Sequence, residues 1–250
     1  MLIPRPVCSA CIGSALLISS AIAAAQAAPE QAYYSRNNSY GLFVGYANNS
    51  IRFLEGDSEQ RKLLLIGASY SRRLLLNHSL NWQYDVEIRP VALNSDPVET
   101  VTITETFTNP PKTVTSTSQT VPEYACHAST ITTSIPGGTS TTATTCSRRW
   151  VYGGGISPVG FRWNFRPHHA VQPLLVGHGG FIESVDAIPI RDAASFNFSF
   201  DLGGGIEWYR TPEHSLRFEF RLHHISNRET APRNPGIENP QFQFSWAFGR

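Results

Sequence analysis

The chain has 250 residues, a formal net charge of +1, and a composition that is 41% hydrophobic, 11% aromatic and 16% charged. This composition is too apolar and too aromatic for a disordered protein, and the near-neutral charge argues against nucleic-acid binding. After the N-terminal segment no apolar run reaches the roughly 18 residues that a membrane-spanning helix needs. The composition therefore argues against a disordered protein, a helical membrane protein and a nucleic-acid-binding protein, and the length allows one or two domains.

The first residues have the pattern of a secretory signal peptide. Arg5 supplies a positive charge, residues 10–23 are apolar, and Ala25-Gln26-Ala27 matches a small-residue cleavage site. We therefore expect residues 1–27 to be removed on export and residues 28–250 to form the mature protein.

Export also determines which cysteines remain in the mature protein and whether they form a disulfide. Cleavage removes Cys8 and Cys11, so these two do not form a redox or zinc site in the mature protein. Cys126 and Cys146 remain, and in an oxidising compartment such a pair is expected to form one disulfide.

Eight segments of the mature chain alternate apolar and polar residues with a period of two. In residues 216–223, for example, Leu and Phe alternate with Arg, Glu and His, as expected of a β-strand with one apolar face. No convincing amphipathic helix is present. The predicted strands lie in residues 40–47, 62–70, 80–89, 159–166, 171–181, 196–202, 216–223 and 242–248.

The connections between these strands favour a membrane barrel over the alternative, a secreted β-sandwich. Long and short connections alternate, as in outer-membrane barrels with short periplasmic turns and long external loops. The apolar face is rich in aromatic residues, and the longer strands are able to cross a bilayer when tilted. We therefore predict an all-β, eight-stranded antiparallel transmembrane β-barrel. Its long connections are residues 48–61, 94–149, 183–195 and 226–240, and its short ones are residues 72–79, 166–170 and 210–215.

The connection at residues 94–149 is an unusually long, Thr-rich insertion on the predicted extracellular side. Residues 100–108 alternate strictly, with Thr on one face of an extended strand. Two alternatives stay open: a β-hairpin closed near its base by a Cys126–Cys146 bridge, or a disordered low-complexity insertion.

The candidate catalytic residues lie where the seventh predicted strand ends. His224 and Ser226 are two residues apart and so share a face, and the following hairpin returns Glu238 beside them. A hydroxyl, an imidazole and a carboxylate are the groups that nucleophilic catalysis needs. By spacing alone, the alternative is a set of polar loop residues at the barrel rim.

Strand parity places these groups on the lipid-facing surface. His224 and Ser226 continue the apolar face of their strand, and Glu238 shares its parity with the aromatic residues of the last strand if Pro240 leaves that strand regular. Ionisable groups that face lipid are costly and usually functional. Because they lie at the depth expected for outer-leaflet headgroups, the candidate substrate is lipid A.

At these residues the chain resembles a known family. His224-x-Ser226-Asn227 followed by residues 234–238 resembles the signature of PagL-type lipid A 3-O-deacylases, and residues 155–165 are similar to the middle region of that family. The resemblance covers residues 151–248 and, more loosely, residues 40–92. It implies an eight-stranded outer-membrane barrel that hydrolyses the ester-linked 3-hydroxyacyl chain at the 3-position of lipid A.

The resemblance also implies roles for individual residues. Ser226 would be the nucleophile, His224 the general base, Glu238 the group that orients the histidine, and Asn227 part of the oxyanion hole. It implies no metal and no organic cofactor. The insertion at residues 94–149 is absent from the compact family pattern, which leaves its effect on the substrate open.

Arginine accounts for 18 of the 20 basic residues, and two arginines lie in the candidate active-site loop. Arg228 and Arg233 are the candidates for binding lipid A phosphates, because guanidinium groups bind phosphate through two hydrogen bonds. For most other arginines we expect salt bridges inside the barrel, with Asp85, Glu87, Asp201, Glu207 and Glu219.

The predicted partners are the outer membrane and its lipopolysaccharide, without nucleic acid, and a homodimer is possible. The alternative function is a catalytically silent barrel with a structural or adhesive role.

Overall fold

The computed structural model describes residues 34–53 and 56–250, and the regular structure in these residues consists of β-strands. The predicted signal peptide, residues 1–27, lies outside the described residues. Across the described ranges, no helix is long and apolar enough to cross a membrane. The strands are β1 (Asn38–Ala47), β2 (Lys62–Leu76), β3 (Leu80–Thr108), β4 (Pro111–Thr120), β5 (Ser129–Ile135), β6 (Gly138–Phe165), β7 (Val171–Ile188), β8 (Ala194–Thr211), β9 (His214–Ser226) and β10 (Ile237–Gly249).

Eight of these strands close into an antiparallel ring. Its order is β1-β2-β3-β6-β7-β8-β9-β10, and β10 returns to pair with β1. The closing pair runs from Ser39 opposite Gly249 to Tyr46 opposite Phe242. The eight predicted strands and the predicted barrel are therefore confirmed, and most of the strands are longer than the alternating segments that predicted them.

The barrel is polar inside and apolar outside. In β1, for example, Tyr40, Leu42, Val44 and Tyr46 point outward and are exposed, while the intervening residues point into the lumen. The other ring strands also expose aromatic and aliphatic side chains on the outer surface. A continuous exposed apolar belt of this kind requires lipid around it, which identifies a membrane barrel and excludes the β-sandwich alternative.

Buried ion pairs fill the lumen. Arg162 bonds to Asp85 at 2.6 Å and to Glu219 at 2.7 Å, and Arg89 bonds to Asp201 at 2.6 Å. All five carboxylates that the sequence assigned to the lumen are paired with arginine, as predicted. The arginines that pair with them are Arg36, Arg89, Arg162, Arg217 and Arg221.

The Thr-rich insertion is an ordered sheet. β3 and β6 continue beyond the barrel and stay paired, and β4 and β5 flank them in the order β4-β3-β6-β5. We call this four-stranded sheet the extension. Thr side chains on one face meet across strands, as in the contacts between the hydroxyls of Thr102 and Thr117 (3.4 Å) and of Thr132 and Thr141 (3.1 Å).

The structure thus agrees with the ordered alternative for the insertion, but with two hairpins instead of one. The predicted disulfide between Cys126 and Cys146 is present. Cys146 lies opposite Glu99, so the disulfide is near the base of the extension.

Candidate active site

The pairing of β9 with β10 brings the candidate catalytic residues together. Glu238 lies directly opposite His224 in this pair, and Pro240 causes no shift in register. His224, Ser226 and Glu238 therefore share the outer face of the barrel, at the end that carries the long loops. We call this the loop end.

Glu238 belongs to the outer face but is fully buried, because a loop covers it. Residues 48–61, between β1 and β2, form this loop, which we call the cover loop. The backbone N–H of Phe53 donates to Glu238 Oε2 at 3.0 Å, and that of Gly56 donates to Oε1 at 3.3 Å. Hydrogen bonds of this type stabilise a charged carboxylate that is shielded from water.

His224 lies against this carboxylate. Its Nδ1 is 3.5 Å from Glu238 Oε1, and the imidazole is 21% exposed. The separation is long for a hydrogen bond, but catalytic hydrogen bonds often shorten only when substrate binds. The arrangement suits a histidine that is oriented by one carboxylate and open to substrate on its other side.

The hydroxyl of Ser226 contacts Asn234. Ser226 Oγ lies 3.1 Å from Asn234 Oδ1 and 2.9 Å from Asn234 Nδ2, and it also accepts a hydrogen bond from the backbone N–H of Arg228 at 3.2 Å. Within the described residues, no hydrogen bond joins Ser226 to His224. In this arrangement the hydroxyl of Ser226 is therefore held by Asn234 and not by His224.

Asn227 has a structural role in this arrangement. It follows the last residue of β9, and its side chain is buried in the loop that leads to β10. Nδ2 donates to the carbonyl of Arg233 at 2.8 Å, and Oδ1 accepts from the N–H of Glu229 at 2.9 Å. The amide therefore closes the loop between β9 and β10, and its role in an oxyanion hole stays a prediction.

Asn234 belongs to the motif at residues 234–238, but the sequence alone assigned it no role. Asparagine beside proline and glycine usually marks a turn, so the residue type alone did not indicate contact with the nucleophile. A signal was nevertheless present, because a loop that returns Glu238 to His224 also has to pass Ser226.

The two candidate phosphate-binding arginines are exposed at the loop end. Arg233 forms an ion pair with Glu123, at the base of the extension, and lines an open cleft of about 530 Å³ together with Tyr124 and Arg191. Arg228 is exposed and adopts a positive φ of 50°.

An apolar groove of about 430 Å³ lies on the same outer face as the candidate catalytic residues. Phe220 lies opposite Phe242 in the β9–β10 pair, four residues from His224 and Glu238. At about 3.3 Å per residue, the groove begins about 13 Å from His224 in the direction of the bilayer interior. The side chains that line it include Val44, Tyr46, Phe218, Phe220, Phe242 and Phe244.

One cluster in the described residues has the composition of a metal site, but it does not fit one. Ligand atoms of Asp85, Glu87 and His178 lie within 4.8 Å of one another in the lumen. Arg162 bonds to Asp85, and Arg221 bonds to Glu87, so arginines already neutralise these carboxylates. The cluster belongs to the lumen ion pairs and lies on the opposite face of the wall from Ser226.

The family comparison agrees with this geometry. Residues 124–247 match the family model described as lipid A 3-O-deacylase (PagL). This part of the chain is similar in sequence to the PagL family. The match includes the whole β9–β10 hairpin up to Ala247, with His224, Ser226 and Glu238, and it confirms the resemblance seen in the sequence. The PagL match and the barrel together identify an outer-membrane protein of the lipid A deacylase type.

Solved structures give only weak similarities, so the fold assignment rests on the strand pairing of this chain. Neisserial surface protein A (NspA) is similar with a TM-score of 0.43 and 12% identity, over 86% of this chain and 97% of that one. LpxR from Salmonella typhimurium is similar with a TM-score of 0.25 and 10% identity, over 86% of this chain and 90% of that one. A search of curated proteins found no significant match.

Proposed function

We propose that the protein is a serine esterase that hydrolyses the ester-linked 3-hydroxyacyl chain at the 3-position of lipid A. One observation carries this proposal: Glu238, a buried carboxylate on an apolar outer face, lies directly opposite His224. A charge in such a place is costly without a role, and here it supports an imidazole two residues from a serine.

The proposed reaction follows from these three groups. His224 takes the proton of Ser226 as its oxygen attacks the ester carbonyl, and Glu238 stabilises the imidazolium that forms. His224 then returns this proton to the departing 3-hydroxyl of the sugar, which leaves an acyl group on Ser226. Water, deprotonated by His224, releases the 3-hydroxy fatty acid and restores the serine. The mechanism uses no metal and no organic cofactor.

For the oxyanion, the contacts favour Asn234 over the predicted Asn227. Nδ2 of Asn234 lies 2.9 Å from Ser226 Oγ, close to where the tetrahedral intermediate forms. Nδ2 of Asn227 already donates to the backbone carbonyl of Arg233 in the loop between β9 and β10. A donor aimed at the developing negative charge lowers the barrier for acyl transfer.

The surroundings suit lipid A. The apolar groove below His224 fits an acyl chain that extends into the bilayer from the scissile ester. Arg228 and Arg233 lie beside the site, at the level expected for phosphorylated sugars. We therefore propose that the loop end faces the cell exterior and that the site acts in the outer leaflet.

Replacement of the nucleophile tests the proposal. Ser226→Ala is expected to abolish release of 3-hydroxy fatty acid from lipopolysaccharide, measured by mass spectrometry of lipid A from cells that express each variant. Ser195→Ala, a serine elsewhere at the loop end whose hydroxyl bonds to Glu183, serves as the matched control and should retain activity.

Heat-modifiable gel mobility would show that both variants remain folded. Identical lipid A masses from wild-type, Ser226→Ala and empty-vector cells would contradict the esterase and favour the alternative of a catalytically silent barrel.

A further inference from the structure

One edge of the cover loop is attached to the start of β10, next to Glu238. The N–H groups of Asp57 and Ser58 donate to backbone carbonyls of residues 235 and 236, at 2.6 and 3.3 Å. The N–H of Ile51 donates to the carbonyl of Glu238 at 2.8 Å. These bonds set the path of the loop over the carboxylate.

The other edge of the cover loop is attached to the extension. Residues 121–128 connect β4 to β5 at the base of the extension, and we call them the anchor segment. Backbone and side-chain groups of the two segments form five hydrogen bonds. These are Glu59 N to Glu123 O (2.9 Å), Ala125 N to Glu59 Oε2 (2.9 Å), Cys126 N to Gln60 Oε1 (3.1 Å), Gln60 Nε2 to Cys126 O (3.5 Å) and Arg61 Nη2 to Pro122 O (2.5 Å).

The anchor segment is in turn fixed to the wall of the barrel. The disulfide joins Cys126 to Cys146 of β6. Two residues further along β6, Arg148 donates to the carbonyl of Gln60 at 2.6 Å. Cover loop, anchor segment and β6 are thus joined to one another by covalent and hydrogen bonds.

A buried charge strengthens this connection. Arg61 Nε lies 3.2 Å from Asp96 of β3, and both side chains are buried. Burial lowers the pKa of Arg61 to about 10, while Asp96 acts in the opposite direction. The guanidinium is therefore still charged at neutral pH, when it pairs with Asp96 and bonds to the anchor segment.

We propose that the disulfide and the anchor segment are positioning elements of the active site: they hold the cover loop in place, and the loop holds Glu238 against His224. The catalytic consequence rests on the proposed esterase, whereas the holding of the loop does not.

The physical reason is that the described residues of the cover loop, 48–53 and 56–61, form neither a helix nor a strand. Loops of this kind open locally at little free-energy cost unless other contacts hold them. When the cover loop opens, Glu238 loses the N–H donors of Phe53 and Gly56, which help to hold its carboxylate beside His224. Each contact with the anchor segment makes this opening less frequent.

The first test removes the disulfide from the full-length refolded barrel. In the Cys126→Ser/Cys146→Ser variant we expect amide hydrogen exchange in residues 56–61 to accelerate by about 10-fold. We expect kcat for deacylation of purified lipid A to fall by about 10-fold, with KM changed less than about 2-fold, because misplacement of a catalytic group acts on the chemical step.

A second pair of variants keeps the disulfide. Glu59→Ala removes the acceptor for the Ala125 N–H and should show the same two effects, more weakly. Glu59→Gln retains an acceptor oxygen at the same place. It should therefore restore the wild-type amide exchange rate in residues 56–61 and the wild-type kcat. The control, Thr132→Ala/Thr141→Ala, breaks a contact within the extension. It should change neither the exchange rate of residues 56–61 nor kcat.

Two results would overturn the proposal. Unchanged exchange in residues 56–61 of the double serine variant would show that the anchor segment does not hold the loop, whether or not the wild-type protein is active. Faster exchange with unchanged kcat would refute the positioning role. A wild-type protein that releases no fatty acid would instead refute the esterase, and the exchange data would still decide whether the loop is held.

Discussion

Gly56 of the cover loop leaves little space for a side chain beside Glu238. A Cβ atom at this position would lie 2.8 Å from Glu238 Cγ and 3.1 Å from its backbone N. Gly56→Ala therefore has to displace the carboxylate or the loop, and a shift of about 1 Å at a catalytic group costs up to about 100-fold in rate. We expect kcat for lipid A deacylation to fall by about 10- to 100-fold, measured with purified protein.

A second glycine on the outer face provides the control for this prediction. At Gly179, an added Cβ would be 4.0 Å from its nearest neighbour, the carbonyl oxygen of Val159, so Gly179→Ala should retain wild-type activity. Both variants should keep heat-modifiable mobility. A Gly56→Ala protein as active as Gly179→Ala would mean that the position of Glu238 does not limit the reaction.

The shared face of His224, Ser226 and Glu238 was predictable, and the burial of Glu238 was not. Strand parity is a local property, and it held because the β9–β10 pair has no bulge between Ile237 and Phe248. The burial of Glu238 depends on Phe53 and Gly56, more than 180 residues away in a segment without periodicity. No local pattern carries information about such a contact.

The barrel strands were predictable from local alternation, but their full lengths and the strands β4 and β5 were not. Alternation identified all eight barrel strands, because each of them buries one face and exposes the other to lipid. It missed their full lengths where bulges reverse the parity, as between Arg73 and Leu75 in the β2–β3 pair. It also missed β4 and β5, since both faces of the extension are largely polar or exposed, and a strand without a buried face has no hydrophobic period.

The outer part of the extension should be dispensable for folding. In the described part of the chain, hydrogen bonds from residues 103–116 and 131–142 go to other residues of the extension. Thr102 lies opposite Thr117, and Thr130 lies opposite Ala143. A short turn between the two residues of each pair therefore shortens the hairpin without changing the strand register. Deletion of both segments, with a two-residue Asn-Gly turn at each junction, leaves the disulfide and the anchor segment in place.

We expect this shortened protein to show wild-type heat-modifiable mobility and lipid A deacylation, because the contacts that hold the cover loop remain. A folded but inactive protein would show that the outer extension takes part in substrate binding. A protein that does not fold would show that the outer extension contributes to the barrel itself.

For the molecule as a whole, the placement of polar residues is inverted relative to a soluble protein. The lumen is the polar core, where buried carboxylates and arginines neutralise one another, and lipid covers the apolar surface. The low charge content of the sequence fits this arrangement. Few charges are needed when they are gathered in one enclosed network rather than spread over a hydrated surface. The stability of the barrel should therefore depend on this network more than on surface ion pairs.

Arg162 tests this dependence, because it bonds to both Asp85 and Glu219 and all three side chains are buried. Arg162→Gln leaves two carboxylates without this cation, and breaking a buried ion pair in this way costs about 3–5 kcal/mol. We expect a loss of that size in the free energy of unfolding, measured by denaturant titration in detergent micelles. Arg52→Gln, which breaks the exposed pair with Asp57, should leave the free energy nearly unchanged, since solvent screens exposed pairs. Equal stabilities of the two variants would mean that the remaining partners, Arg221 beside Glu219 and His178 beside Asp85, compensate for the lost cation, and that Arg162 does not limit the stability of the barrel.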